Sequence, residues 1–194
     1  KQVKESELKT LKAQLNPHFL FNSLNSVSAL TLTAPENARH MLAQLSELLR
    51  YSLSNNQMAM ISLGREMDNI RRYMDIEKVR FGKLLNYEEE IAADCEKSIV
   101  PALILLPLYG NAIKHGLYES LDPVTIKTRC FRKDNDLIIV ISNNFDACMP
   151  SPAGTGLGLK HTANILRNLF NRDGLLISGA SDGIYTVRLC IPQS

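Results

Sequence analysis

The amino-acid sequence predicts an α+β fold: an N-terminal antiparallel helical hairpin over residues 1–60, then helices packed on one face of a mixed sheet over residues 61–194. Three observations predict it. Apolar residues recur at steps of three and four as far as Leu53, the period of a helix with one buried stripe. After Gly82 the pattern changes to short apolar or alternating runs between turn residues, the mark of strands. Helical and strand patterns then interleave to the C-terminus, which calls for helices layered on a sheet.

Residues 1 to about 30 read as one long helix. Leu8, Leu11, Leu15, His18, Asn22 and Asn25 form a seam facing a partner helix, apolar at first and polar from His18 onward. Pro17 cannot donate to the carbonyl of Ala13 and crowds that turn, so a kink is expected there. Phe19, Leu20 and Phe21 cover the other directions. A kinked, greasy turn presenting one imidazole has the character of a site, the plain alternative being a satisfied core or rim histidine. Asn22, one turn on, is placed to hydrogen-bond the ring.

Thr33, Ala34 and Pro35 break this helix, and Pro35 suits the first turn of the next. Ala38, Met41, Leu42, Leu45, Leu48, Leu49 and Leu53 then repeat the helical spacing. So short a connection makes an antiparallel hairpin. Its uncovered stripe calls for a second copy of the chain, giving a homodimer built on a four-helix bundle.

Ser54 to Gln57 interrupt the pattern. Ser62 opens a third helix, with Glu66 near a capping position. Leu63, Met67, Ile70, Tyr73, Met74, Glu77 and Val79 carry it to Phe81 and Gly82, and its charges otherwise read as a solvated face. Leu84–Ile91 suggests a strand. Residues 101–117 read as an apolar helix opened by Pro101 and stopped at Gly116. Strands at about 123–132 and 137–143 turn at Asp134-Asn135-Asp136, and a Pro/Ser/Gly loop covers 144–156. A helix over Leu157–Phe170 follows, then a hairpin of 174–180 and 184–191 turning at Ser181-Asp182-Gly183.

Composition removes several function classes. Hydrophobic residues at 45% and charged residues at 22% are ordinary for a globular chain. A net charge of +2 offers no electrostatic case for nucleic acid. No run approaches the ~18–20 apolar residues of a membrane span. The first residue is Lys, so the chain reads as a fragment, with any membrane portion in a missing upstream segment. Cys95, Cys130, Cys148 and Cys190 are scattered, and His18, His40, His115 and His161 show no ligand spacing. Neither a disulfide framework nor a zinc site is expected, and free thiols fit a reducing compartment.

Two stretches point to a nucleotide. In Gly154-Thr155-Gly156-Leu157-Gly158-Leu159, glycines that open a helix let backbone amides and the positive helix end approach phosphate oxygens. No strand precedes this loop as the dinucleotide fingerprint requires, and no GK[ST] is present, so a lid hinge is the plain alternative. In Asn111-Ala112-Ile113-Lys114-His115-Gly116, the Asn111 amide could supply an oxygen to hydrated Mg²⁺, and Lys114 and His115 could neutralise phosphate. Alternatively Asn111 and His115 simply cap the helix.

The run Gln14 to Asn25, QLNPHFLFNSLN, resembles the phospho-acceptor segment of the LytS-like sensor histidine kinases. Ser62 to Gly82 resembles that family's acidic, Tyr-containing helix ending in a KxRFG-like phrase. Leu105 to Gly116 resembles the family's LLQPLVENAIKHG box, and Gly154 to Leu159 its GxGIGLxN box, with His161 where Asn is usual. The order of these segments over residues 11–192 is the family's own. The resemblance implies a GHKL-type α/β-sandwich for the second half, binding ATP and Mg²⁺. It also implies that His18 accepts the γ-phosphoryl group and passes it to an Asp on a response regulator receiver domain. It further implies that the chain is the cytoplasmic part of a bacterial inner-membrane protein.

Two departures bear on that reading. Gly110 stands where the family has Glu and Leu106 where it has Gln, so catalysis is in question. No DxG phrase follows Ile141, and Asn143 takes the place of the adenine-binding Asp, a shift of one residue being the alternative. The rival expectation is a dimeric signalling scaffold with a degenerate pocket.

Overall fold

The computed structural model describes residues 17–54, 59–117, 122–145 and 157–193. Two helices come first, α1 (Pro17–Thr33) and α2 (Pro35–Ser54), hinged at Ala34. Pro35 lacks the amide that would carry the helix through, so the chain turns there. Leu8, Leu11, Leu15 and the turn N-terminal to Pro17 lie outside the described residues, as does the expected kink. The hairpin follows from two contacts on the next helix, α3 (Leu63–Phe81). Phe19 stacks against Tyr73 with ring centroids 4.8 Å apart, and the Tyr51 hydroxyl donates to Glu66. Tyr73 and Glu66 are two turns apart, whereas unbroken helix from Phe19 to Tyr51 would span about 48 Å. The chain must therefore double back.

The second half is a five-stranded mixed sheet. Its strands are β2 (Leu85–Ile91), β4 (Val124–Lys133), β5 (Asp136–Asn144), β6 (Leu176–Ser181) and β7 (Ile184–Pro192), in the spatial order β2-β4-β5-β7-β6. Only β2 and β4 run parallel. The inner face carries Ile126, Thr128 and Cys130 opposite Asn143, Ile141 and Ile139, flanked by Val124 and Leu137, with Val187, Leu189 and Ile191 beyond. Helices α4 (Leu106–Leu117) and α5 (Leu157–Phe170) pack on this side. The outer face carries cross-strand ion pairs, Lys127–Glu88 at 2.9 Å and Arg129–Glu90 at 3.0 Å. One apolar core runs continuously from Phe19 and Leu48 through α3 to Leu189. The turn between β6 and β7 holds Asp182 and Gly183 at φ +52° and +72°, the pair of positive angles that a tight hairpin turn requires.

Three expectations are corrected. Residues 101–105 are not helical: Pro101 ends a short strand, β3 (Ile99–Pro101), which pairs with β1 (Met60–Ser62) in a separate two-stranded sheet. The helix begins only at Leu106, because Leu103 adopts φ +63° and the amides of Leu103 and Leu105 turn toward a buried carboxylate. Second, Glu66, expected near a cap, is buried, and of the two last residues assigned to the stripe of α3, Glu77 is buried while Val79 is exposed. Helices pack on one side of α3 and strands on the other, which leaves only a narrow strip for water. Third, among the described residues the seam of His18, Asn22 and Asn25 is not the side of α1 that enters the core. Phe19 and Ser23 turn inward instead, and His18 is exposed.

Candidate nucleotide and acceptor sites

The two glycine- and asparagine-bearing stretches meet. A Cβ on Gly158 would lie 3.4 Å from Asn111 Nδ2, 3.8 Å from Asn111 Oδ1 and 3.9 Å from Pro107 Cβ. The first turn of α5 therefore rests directly on α4 at Asn111, a closeness that a larger residue at 158 would strain. Leu157 is the first residue of α5, so the positive end of that helix faces the same region. Asn111 is half-buried, Lys114 exposed and His115 half-buried along the outward side of α4. Gly154, Thr155 and Gly156 lie outside the described residues, as does the side chain of Leu157. An amide oxygen, a lysine one turn on and a helix N-terminus suit a polyphosphate with a largely hydrated Mg²⁺, since that ion takes few protein ligands.

At the other end of α4, Asn143 is buried. A Cβ on Gly116 would stand 2.8 Å from Val124 Cγ1 and 3.4 Å from Asn143 Nδ2. Asn144 points the other way and is occupied by the chain: its Oδ1 accepts from the Thr125 amide at 2.7 Å, and its Nδ2 donates to the Pro123 carbonyl at 3.1 Å. Of the two candidates, Asn143 is the one against α4. Its own Nδ2 donates to the Asn144 carbonyl at 3.0 Å.

The imidazole of His18 lies within reach of Asn22, whose Nδ2 is 3.2 Å from Nδ1 and 3.1 Å from Nε2. The amide N–H can donate only to the ring nitrogen that lacks the proton, a bond that fixes the ring plane and occupies that nitrogen's lone pair until it is released. On the outward side around His18 run Phe21, Leu24 and Leu32, the last 91% exposed, and α2 adds Leu42 and Leu53. A surface groove lined by Ser46, Leu49, Arg50, Leu53 and Ser54 belongs to this apolar face and shares no residue with the Asn111 region.

Between the two sites sit buried polar residues that the sequence reading did not assign to the site. Glu66 accepts the amides of Leu103 and Leu105, each at 3.1 Å, as well as the Tyr51 hydroxyl. Burial pushes its carboxyl above the ordinary range, against the pull of these hydrogen bonds. Glu77 pairs with Arg80 at 2.6 Å, and both side chains are almost fully enclosed. Burial raises the Glu77 carboxyl to about 7, although Arg80 and a hydrogen bond from Tyr73 lower it. The signal in the sequence was phase: residues 66, 70, 73 and 77 step by four, three and four, so both carboxylates share a helical face with Ile70 and Tyr73.

The fold matches that of histidine kinase catalytic regions. The full chain aligns with the Acinetobacter baumannii histidine kinase AdeS (TM-score 0.54, 14% identity, 94% of that chain). Seventy per cent of it aligns with the catalytic domain of histidine kinase ThkA (TM-score 0.52, 19% identity, 95% of that chain). At these identities the likeness is one of fold. The family model "Histidine kinase" matches residues 6–85. Over 189 residues the chain is 32% identical to sensor histidine kinase BtsS of Escherichia coli, covering 97% of this chain and 34% of the relative. It is 30% identical over 205 residues to sensor protein LytS of Staphylococcus haemolyticus, covering 100% and 35%. The chain belongs to the LytS-like sensor histidine kinases. It spans about a third of the length of the curated relatives it matches.

Proposed function

We propose that this chain is the catalytic portion of a two-component sensor, with residues 1–60 as the dimeric acceptor hairpin and 61–194 as the ATP-binding unit. ATP serves as donor, His18 receives the γ-phosphoryl group, and an aspartate of a response regulator receiver domain takes it onward. In the first step a ring nitrogen of His18 forms the N–P bond as the bond from phosphorus to the β-phosphate oxygen breaks, and ADP leaves. The observation that carries this reading is the contact of Asn111 with Gly158 at the head of α5. It brings an amide oxygen to the N-terminal end of α5, with Lys114 one turn further along α4.

The chain's own contribution is positioning and charge neutralisation, the main demands of phosphoryl transfer. Asn111 would hold Mg²⁺ when the ion is bound, and the ion would screen the phosphate oxygens. Lys114, His115 and the amides of Gly154, Thr155, Gly156, Leu157 and Gly158 would bind phosphate. Asn143 would accept from the adenine amino group. Asn22 would orient the His18 ring. BtsS and LytS are named as sensors, which supports placing this portion on the cytoplasmic side of a membrane protein. No helix among the described residues is itself long and apolar enough to cross a membrane.

Labelled ATP with Mg²⁺ provides the test. The wild type should acquire an acid-labile label that His18→Gln abolishes, and calorimetry should detect the nucleotide. Folded wild type that binds no ATP, with label appearing only in Gly110→Glu, would transfer support to the scaffold reading.

A further inference from the structure

Tyr73 occupies the interval between the two proposed sites. Its ring packs against Phe19, the residue next to His18, at 4.8 Å and an interplanar angle of 39°. Its hydroxyl lies 3.9 Å from the position of a Cβ on Gly110, the residue next to Asn111. It also donates to Glu77, whose carboxylate is fixed in turn by Arg80 at 2.6 Å. Tyr73 is 5% exposed and Phe19 4%, so neither ring can swing without opening the core. One buried side chain thus packs on the helix that bears the acceptor and turns its hydroxyl toward the Gly110 side of the helix that bears the Asn111 amide, while Glu77 and Arg80 hold that hydroxyl.

We propose that Tyr73 is a positioning residue for the transfer: its ring seats the acceptor turn, and its hydroxyl, held by Glu77, fixes that seat against the Gly110 face of α4. The proposal rests on the kinase reading of His18 and Asn111 and adds the part that keeps them in register. A near-attack geometry tolerates little error, so a loosened seat lowers the rate without weakening the hold on nucleotide.

Two variants test it. Tyr73→Phe keeps the ring and removes only the tie to Glu77, while Tyr73→Leu removes both. Label acquisition should fall about threefold in Tyr73→Phe and tenfold or more in Tyr73→Leu, with the Kd for ATP within about threefold of wild type. Amide exchange over residues 17–33 should quicken in the same order, with no ligand present. A purely structural role would instead lower rate, affinity and Tm together, and that result overturns the proposal. So does unchanged exchange in Tyr73→Leu, or a rate at or above wild type. Should the wild type take no label, the kinase reading fails by itself. The exchange measurement still decides whether Tyr73 seats the turn.

Discussion

Glu66 shows how one carboxylate fixes a local fold. Two backbone donors and one hydroxyl converge on it in a dry site, so each would be costly to leave unsatisfied. Glu66→Gln presents an amide where a donor faced an acceptor, and it should destabilise by about 1–3 kcal/mol in chemical denaturation. Glu77 gives a second expectation. Its folded carboxyl titrates near 7, above the ordinary value of 4.5, so the folded state binds the proton more tightly than the unfolded chain. The contribution is complete below pH 4.5 and is lost as pH rises through 7. Against Glu77→Gln, which cannot ionise, wild-type stability should fall by up to about 3 kcal/mol between those limits and then level off. Parallel curves for the two proteins would rule this out. The helical phase of these residues was visible in the sequence. Their dry surroundings were not, since burial on both sides of α3 arises only when the hairpin and the sheet close on it.

At the scale of the element, α4 carries residues proposed to face the nucleotide, and its two glycines behave oppositely. Gly110 has no atom nearer than 3.9 Å to an added Cβ, so Gly110→Ala should stabilise the helix by about 0.5–1 kcal/mol, read as a higher Tm. A Cβ added at Gly116 would stand 2.8 Å from Val124, a stiff β-branched side chain in a buried strand, so Gly116→Ala should destabilise by about 1–3 kcal/mol despite the better propensity of alanine. The sequence marks Gly116 as a helix stop, whereas its tertiary role is to let α4 approach β4. The start of the same helix was misplaced for a related reason. Pro101 suits a first helical turn, but pairing with Met60 and the pull of Glu66 on the next amides hold 101–105 out of the helix.

At the scale of the whole molecule, the exposed side of the hairpin remains to be covered. Phe21 is 69% exposed and Leu53 62%, and the stripe continues through Leu24, Leu32 and Leu42. A second copy would bury it in the proposed four-helix bundle, with His18 at its edge. Phe21→Glu combined with Leu24→Glu should halve the sedimenting mass while leaving the sheet intact by circular dichroism. An unchanged mass would discard this face as the dimer interface. The helices beginning at Pro35, Leu63 and Leu157 and both β-hairpins were legible in the sequence, because period and turn chemistry are local properties.

The sequence by itself determined the order of elements, the hairpin break at Pro35, the Asp182-Gly183 turn and the family to which the chain belongs. Each rests on residues close together in the chain, where backbone sterics and side-chain spacing act directly. Only the tertiary structure decided that Gly158 rests on Asn111, that Asn143 rather than Asn144 lies against α4, and that Tyr73 packs against Phe19. Those contacts join segments far apart in sequence, and their distances are set by how α3 fills the space between helices and sheet.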